Sequence, residues 1–304
     1  MRFFRRKLNT CTAISFIYEY ARKSKRGDAY RRKYRNIARH LSDFEKERDV
    51  VILSNTYNDE MCEDFVYHLR SLNLAQNTIV NYLQNTAFMF RKMAKRGFKV
   101  DFSFEEILPD RDETVAVYLS EKELTDIWNL KLKKEADVVR DLFLVGCYTG
   151  MRYSDYSSIT RKNIANGCIT LKTQKKGQIV KVPIHRVVNE ILLKRNGELP
   201  PYSDSAQNFN KVVKTIAKKA MINESILVEF HKGNNMVRET KKKYELVSSH
   251  TARRSFATNA YKAGIPTFNI MLITGHKSEQ SFFNYIRINK IENAKLLSEH
   301  LFFK

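Results

Sequence analysis

Apolar residues along this chain recur mainly at three- and four-residue spacing, the period of helices with one buried face. Tyr30, Tyr34, Ile37, Ala38, Leu41 and Phe44 form one such stripe, with Arg31, Arg32, Lys33, Arg35 and Arg39 at other positions. Asn58 or Asp59 can cap a helix that runs to about Leu72 and turns Met61, Phe65, Val66 and Leu69 inward. Another follows Asn77-Thr78, with Ile79, Tyr82, Leu83, Phe88, Phe90 and Met93 apolar and Gly97 as its stop. Arg91, Lys92, Lys95 and Arg96 crowd its last turns, where cations also suit the helix dipole. With the opening segment read as one more helix, residues 1–100 are expected to form a compact helical domain of four or so helices.

Helical periodicity lapses over 101–117, where acids and Pro109 break any sustained pattern, and this is the expected linker. The second domain, 118–304, opens with Ser120 and Glu123 as a capping box. A buried helix over 136–148 is ended by Gly150, and Arg152 emerges at that turn. Residues 169–172 and 179–183 read as two strands of a hairpin with 173–178 as its turn. Amphipathic helices are expected over 185–193 and 206–221, then an exposed basic loop over 233–244 and a strand over 245–247. Residues 251–262 read as a helix; after the Gly264-Pro266 break, a short apolar segment over 268–274 ends at Gly275. Beyond it, Ile291, Ala294, Leu297 and Leu301 make a helical stripe near the C-terminus. The class is mainly α with a small β-sheet.

Charge narrows the partners. A formal charge of +21 and a pI near 9.7 point to a polyanion, with nucleic acid first and membrane surfaces or plain solubility as the duller options. The first forty residues carry thirteen Lys or Arg against Glu19 and Asp28, a net of +11. Arginines on a helix are often only a solvated face, but so dense a run beside aromatic anchors favours phosphate contact by Arg31, Arg32, Arg35 and Arg39, with Arg91, Lys92 and Lys95 as further candidates. Cys11, Cys62, Cys147 and Cys168 lack disulfide or zinc spacing, which fits a reducing cytoplasm and no metal. The basic, apolar start imitates a signal peptide, but Thr12 and Ser15 interrupt it and no cleavage-like site follows. No run of about twenty apolar residues could span a membrane.

The richest chemistry lies in 248–285. His250 and Arg253 stand three apart on a helix, so both can face one phosphate. His276 follows the end of the next helix, and Tyr285 comes after Phe282-Phe283, an aromatic pair that could anchor a short helix and leave the phenol facing outward. A basic chain can produce H-x-x-R by chance, and each residue alone is more often structural. The balance changes with Arg152 in Thr149-Gly150-Met151-Arg152 and Lys175 in the hairpin turn, where Lys172 and Lys176 are close neighbours. Tyrosine beside histidines and arginines suggests covalent phosphoryl chemistry.

These segments resemble the tyrosine recombinases, the integrase family that includes the Xer-type enzymes, and most of all integrase-like recombinases of Bacteroides-type bacteria and their mobile elements. TGMRYSD carries Arg152, ITLKTQKKGQIVKVPI carries Lys175, HTARRSFAT carries His250 and Arg253, and GHKSEQSFFNY carries His276 and Tyr285. The resemblance implies a helical, SAM-like core-binding domain that clamps DNA and a mixed α/β catalytic domain. It implies Tyr285 as nucleophile, Arg152 and Arg253 as clamps on the phosphate oxygens, Lys175 as general acid, and the two histidines as positioning and deprotonating groups without a division of labour between them. It implies double-stranded DNA as partner, a tetramer on synapsed DNA, a C-terminal assembly helix, and no cofactor, ATP or metal. The helical domain starts almost at Met1, leaving no space for a substantial arm-binding domain, so simple target sites are expected. The rivals are a type IB-like topoisomerase and a non-catalytic DNA-binding protein on the same scaffold.

Overall fold

The computed structural model describes residues 10–101, 108–175, 177–201, 204–276, 278–283, 285–286, 293–294, 298 and 301–303. Its contacts divide the chain into two compact units, Met1–Thr114 with Val228–Glu239, and Val115–Leu227 with Thr240–Lys304. Most of the proposed assembly helix, residues 102–107 of the linker, and the first nine residues lie outside the described residues.

The first unit contains α1 (Ala13–Lys23), α2 (Asp28–Arg48), α3 (Asp59–Ser71) and α4 (Gln76–Lys95). The stripes read from the sequence are its core: Ile37, Leu41, Phe44, Phe65, Leu69, Ile79, Leu83 and Phe90 are buried together. Asn58 caps α3 by accepting the Met61 N–H at 2.9 Å. Tyr57 stacks on Phe90 with ring centroids 4.7 Å apart, joining the α3 approach to α4.

The second unit is built on α6 (Lys134–Thr149), whose residues from Val139 to Thr149 are all buried. Before it, α5 (Glu121–Trp128) starts at the expected capping box, with Ser120 N–H donating to Glu123 Oε2 at 2.8 Å. After it come α7 (Tyr153–Tyr156), the strands β1 (Ile164–Ala165), β2 (Cys168–Lys172) and β3 (Ile179–Pro183), then α8 (Arg186–Lys194) and α9 (Ala206–Lys219). The three strands form an antiparallel sheet in the order β1-β2-β3, with Ile169 opposite Val182 and Leu171 opposite Val180. Asp141, fully buried in α6, accepts from Arg140, Lys194 and Arg195, a hydrogen-bonded ion cluster that ties α6 to the end of α8.

The chain continues through β4 (Ser225–Lys232) and β5 (Asn235–Lys242), a two-stranded sheet, into α10 (Lys243–Leu246), α11 (Ser249–Lys262), α12 (Thr267–Thr274) and α13 (Glu279–Phe283). Two expectations are corrected here. Residues 235–242 are a strand rather than a loop, because backbone pairing with β4 satisfies their amides whatever their polar side chains do. Residues 245–247 are not a strand: Lys243–Leu246 is a helical turn held by Lys243, whose ammonium lies 2.8 Å from Glu123.

The site depends on how closely α6 and α11 approach. At Gly146 an added Cβ would sit 2.6 Å from the Tyr156 ring and 3.1 Å from the Ala252 methyl, so only glycine lets the two helices meet there. Ser255 on α11 also accepts the Leu119 N–H at 2.8 Å, a bond spanning 136 residues that ties α11 to the segment before α5.

Candidate active site

All six residues singled out as catalytic candidates lie in the second unit. Gly150 ends α6 in the left-handed conformation, φ 65°, and the chain then turns so that Arg152 occupies the N-cap position of α7. Arg152 is half-buried.

One turn further on, Asp155 is 1% exposed. Its Oδ1 accepts the backbone N–H of Gln174 at 2.9 Å, while Gln174 Nε2 donates to Ser154 O at 2.9 Å. These two bonds fix the β2–β3 turn against α7. The turn is closed internally by Thr173 N–H to Gln178 O and Gly177 N–H to Thr173 O, both 2.8 Å. Lys175 projects exposed from this braced turn.

On α11, His250 and Arg253 share a face as their spacing requires. Arg253 is 2% exposed: Nη1 gives to Gly150 O at 2.8 Å, Nη2 gives to Thr274 O and faces His276 Nε2 at 3.4 Å, and Nε is buried without a hydrogen-bond partner among the described residues. Burial, and next the charge of Arg152, bring the Arg253 guanidinium down to about 10, which leaves it cationic at neutral pH.

Arginine offers no acceptor, so His276 Nε2 must present a lone pair to it, and the ring proton resides on Nδ1. Nδ1 lies 2.8 Å from Thr274 Oγ1, which in turn donates to Ile270 O at 2.8 Å. Both ring nitrogens of His276 thus have a partner, Arg253 at Nε2 and Thr274 at Nδ1.

His250 keeps one edge open to solvent. Even so, partial burial depresses its pKa, and Arg254, Arg253, Arg152 and Lys175 push the same way. His250 is therefore a neutral imidazole at pH 7, and the cations that hold it neutral include both arginines and the lysine expected at the site from sequence.

Tyr285 follows α13, whose Phe282 is fully buried while Phe283 is half-exposed. The phenol does not face outward. Its ring is half-buried, 4.7 Å from the His276 ring at 54°, with the Arg253 and Arg254 guanidinium carbons 5.6 and 5.7 Å from its centroid. The attraction of two guanidinium groups for one aromatic ring turns it inward. Nucleophile candidate, histidines and cations thus meet in one chain at one surface.

The phage integrase family profile matches residues 118–292, more than half of the chain, and a phage integrase SAM-like domain matches residues 12–124. The chain belongs to the phage integrase family of tyrosine recombinases. Solved structures of this family share its fold. The Tn1549 transposon integrase in complex with circular intermediate DNA superposes with a TM-score of 0.66 at 17% identity, over 95% of this chain and 99% of that one. XerH bound to palindromic difH substrate gives 0.65 at 18% identity, over 94% and 84%. A lambda integrase dimer bound to a COC′ core site gives 0.62 at 14%, over 92% and 78%. A comparison with curated proteins gave no match.

The structure brings three further residues to this surface that spacing alone did not single out: Asp155, Thr274 and Arg254. Asp155 stands three residues after Arg152 and Arg254 directly follows Arg253, so spacing was the available signal; Thr274 offered none.

In the first unit, Arg32, Arg35 and Arg39 line an exposed stripe of α2 opposite buried Tyr34, Ile37, Ala38 and Leu41. Arg31 is instead partly covered and paired with Asp28 at 2.6 Å. On α4, Arg91 and Lys95 are exposed, and the Lys92 ammonium lies 5.2 Å from the Phe88 centroid. Among the described residues, no group of three or more His, Cys, Asp or Glu could hold a metal ion, and no helix is long and apolar enough to cross a membrane.

Proposed function

We propose that this chain is a site-specific DNA recombinase that cleaves and rejoins double-stranded DNA through a 3′-phosphotyrosine intermediate. The observation that carries the reading is the packing of Tyr285 against His276 and under Arg253. A phenol held among cations and acceptors, with no carboxylate against its ring among the described contacts, suits attack on a phosphodiester.

In this reading Tyr285 Oη attacks the scissile phosphorus, the P–O5′ bond breaks, and the DNA 3′ end stays on the enzyme. The phenol proton passes to an imidazole lone pair, for which neutral His250 and the Nε2 of His276 are the two acceptors. Arg152 and Arg253 neutralise the non-bridging oxygens, with paired N–H donors that suit a phosphorane better than lysine does. Losing one such donor costs about 10² to 10³ in rate. Lys175, carried on the turn that Asp155 braces, protonates the leaving 5′ oxygen. Attack of a new 5′ hydroxyl on the phosphotyrosine reverses every step, so bond energy is retained without ATP.

Residues 1–100 would clamp one side of the duplex through the α2 stripe and the end of α4, residues 101–117 would link, and residues 118–304 would carry the chemistry and an assembly helix for a tetramer on two synapsed sites. The DNA complexes of XerH and of the Tn1549 and lambda integrases support double-stranded DNA as the partner.

The test is strand exchange between two labelled duplexes carrying the junction sequence of the element that encodes the protein. Wild type should yield recombinant strands and Tyr285→Phe none. Relaxation of a supercoiled plasmid lacking the junction, without any recombinant product, would instead indicate a topoisomerase.

A further inference from the structure

Consecutive residues on a helix point about 100° apart, so neighbouring side chains seldom converge on one target. Arg253 and Arg254 do. Their guanidinium carbons lie 5.6 and 5.7 Å from the centroid of the same ring, that of Tyr285. The two are otherwise unlike: Arg253 is buried and committed to Gly150 O and Thr274 O, whereas Arg254 is half-buried. The His276 ring also lies against that of Tyr285, at 4.7 Å.

We propose that Arg254 is a positioning residue for the nucleophile, holding the Tyr285 ring against Arg253 and His276 and presenting its charge to His250. This rests on the recombinase reading above. The phosphate-directed work is shared by Arg152 and Arg253; Arg254 acts through the two groups between which the phenol proton moves. A guanidinium over the ring opposes its swinging outward, the orientation an unrestrained phenol after an exposed Phe283 would adopt.

The same charge reaches His250. Among the described residues, the charges that act on this imidazole are chiefly those of Arg254 and Arg253 from α11, Arg152 from the α6–α7 turn and Lys175 from the β2–β3 turn. Among these charges Arg254 exerts the largest effect, and it lowers the pH at which the ring gains a proton. Arg254 therefore couples the place of the nucleophile to the protonation of its neighbour.

The experiment compares wild type, Arg254→Gln and Arg254→Lys on nicked junction DNA at saturating protein, reading the rate of covalent-complex formation from about pH 5 to 8 alongside DNA affinity and thermal melting. With glutamine, the plateau rate should fall about 10- to 100-fold, and the acid limb should move up toward the ordinary histidine range, with DNA affinity nearly unchanged. Lysine keeps the charge, and should restore the acid limb and most of the rate. A loss confined to DNA affinity, with plateau and acid limb unmoved, would make Arg254 a phosphate contact and overturn the proposal, as would wild-type behaviour of the glutamine variant. Should glutamine lower the melting temperature, the lysine variant decides, because a merely structural role gives it a wild-type melt without a matching acid limb. Absence of any covalent complex in wild type strikes the recombinase reading itself, and the proposal falls with it.

Discussion

The Asp155 carboxylate accepts the Gln174 backbone N–H at 2.9 Å, so the turn that presents Lys175 is tied to the segment that presents Arg152. Two cations from separate parts of the sequence are thereby held in register by one buried acid that touches neither the nucleophile nor its histidines in the described contacts. Asp155→Ala should release the turn. Amide exchange over 173–178 should quicken, and covalent-complex formation should slow about 10- to 100-fold through misplacement of the general acid, with DNA affinity almost unchanged. Hydrogen exchange and single-turnover cleavage measure both.

Three histidines are shifted the same way. His40, His185 and His250 have pKa values lowered from the ordinary 6.5, in each case chiefly by burial. Between that value and the lowered folded value, the unfolded chain binds more protons than the folded one, so stability rises with pH across this window. Their contribution is fully present above about pH 6.5 and is lost as pH falls through the folded values. The melting temperature should therefore drop on acidification below neutrality, and His40→Gln, at a position 7% exposed, should flatten the drop. A melting temperature that climbs from pH 7 to 5.5, to take two about-equally accessible points, would contradict this.

Gly150 serves the site twice. Its φ of 65° suits glycine, and a Cβ there would meet the Phe256 ring at 2.3 Å. Its carbonyl also accepts from Arg253. Gly150→Ala should lower stability by about 1–3 kcal/mol and cleavage along with it, as thermal melting and the covalent-complex assay would show.

Much of this was legible in the sequence because helices announce themselves by period. The stripes on α2, α3 and α4, the Ser120 and Glu123 box and the Gly150 stop all needed only local information. The β4–β5 pair escaped because Asn235–Lys242 carries polar residues on both faces, leaving no two-residue alternation to detect. Lys243–Leu246 is too short to show a helical period, and its buried lysine is explained by partners distant in sequence, chiefly Glu123, 120 residues away. The six candidate residues were named from motifs, but the inward turn of Tyr285 and the bracing by Asp155 depend on contacts between distant segments, which spacing does not encode.

Binding should be strongly salt-dependent, as expected for a chain of charge +21. Replacing Arg32, Arg35 or Arg39 by Gln should weaken binding to all sequences alike and reduce the slope of log affinity against log salt by about 1 each. Arg31→Gln should do less, since Arg31 already pairs with Asp28. Fluorescence anisotropy on specific and unrelated duplexes at several salt concentrations distinguishes these cases; unchanged slopes would remove α2 from the DNA-facing surface.

The most direct test of the account is the chemical identity of the protein–DNA link. Wild-type protein is trapped on nicked junction DNA, digested with protease and nuclease, and the nucleotide-bearing peptide is sequenced by mass spectrometry. The account predicts a 3′-nucleotide adduct on the Tyr285 phenol oxygen and none in Tyr285→Phe. An adduct on any other residue, or one that persists in Tyr285→Phe, would contradict it.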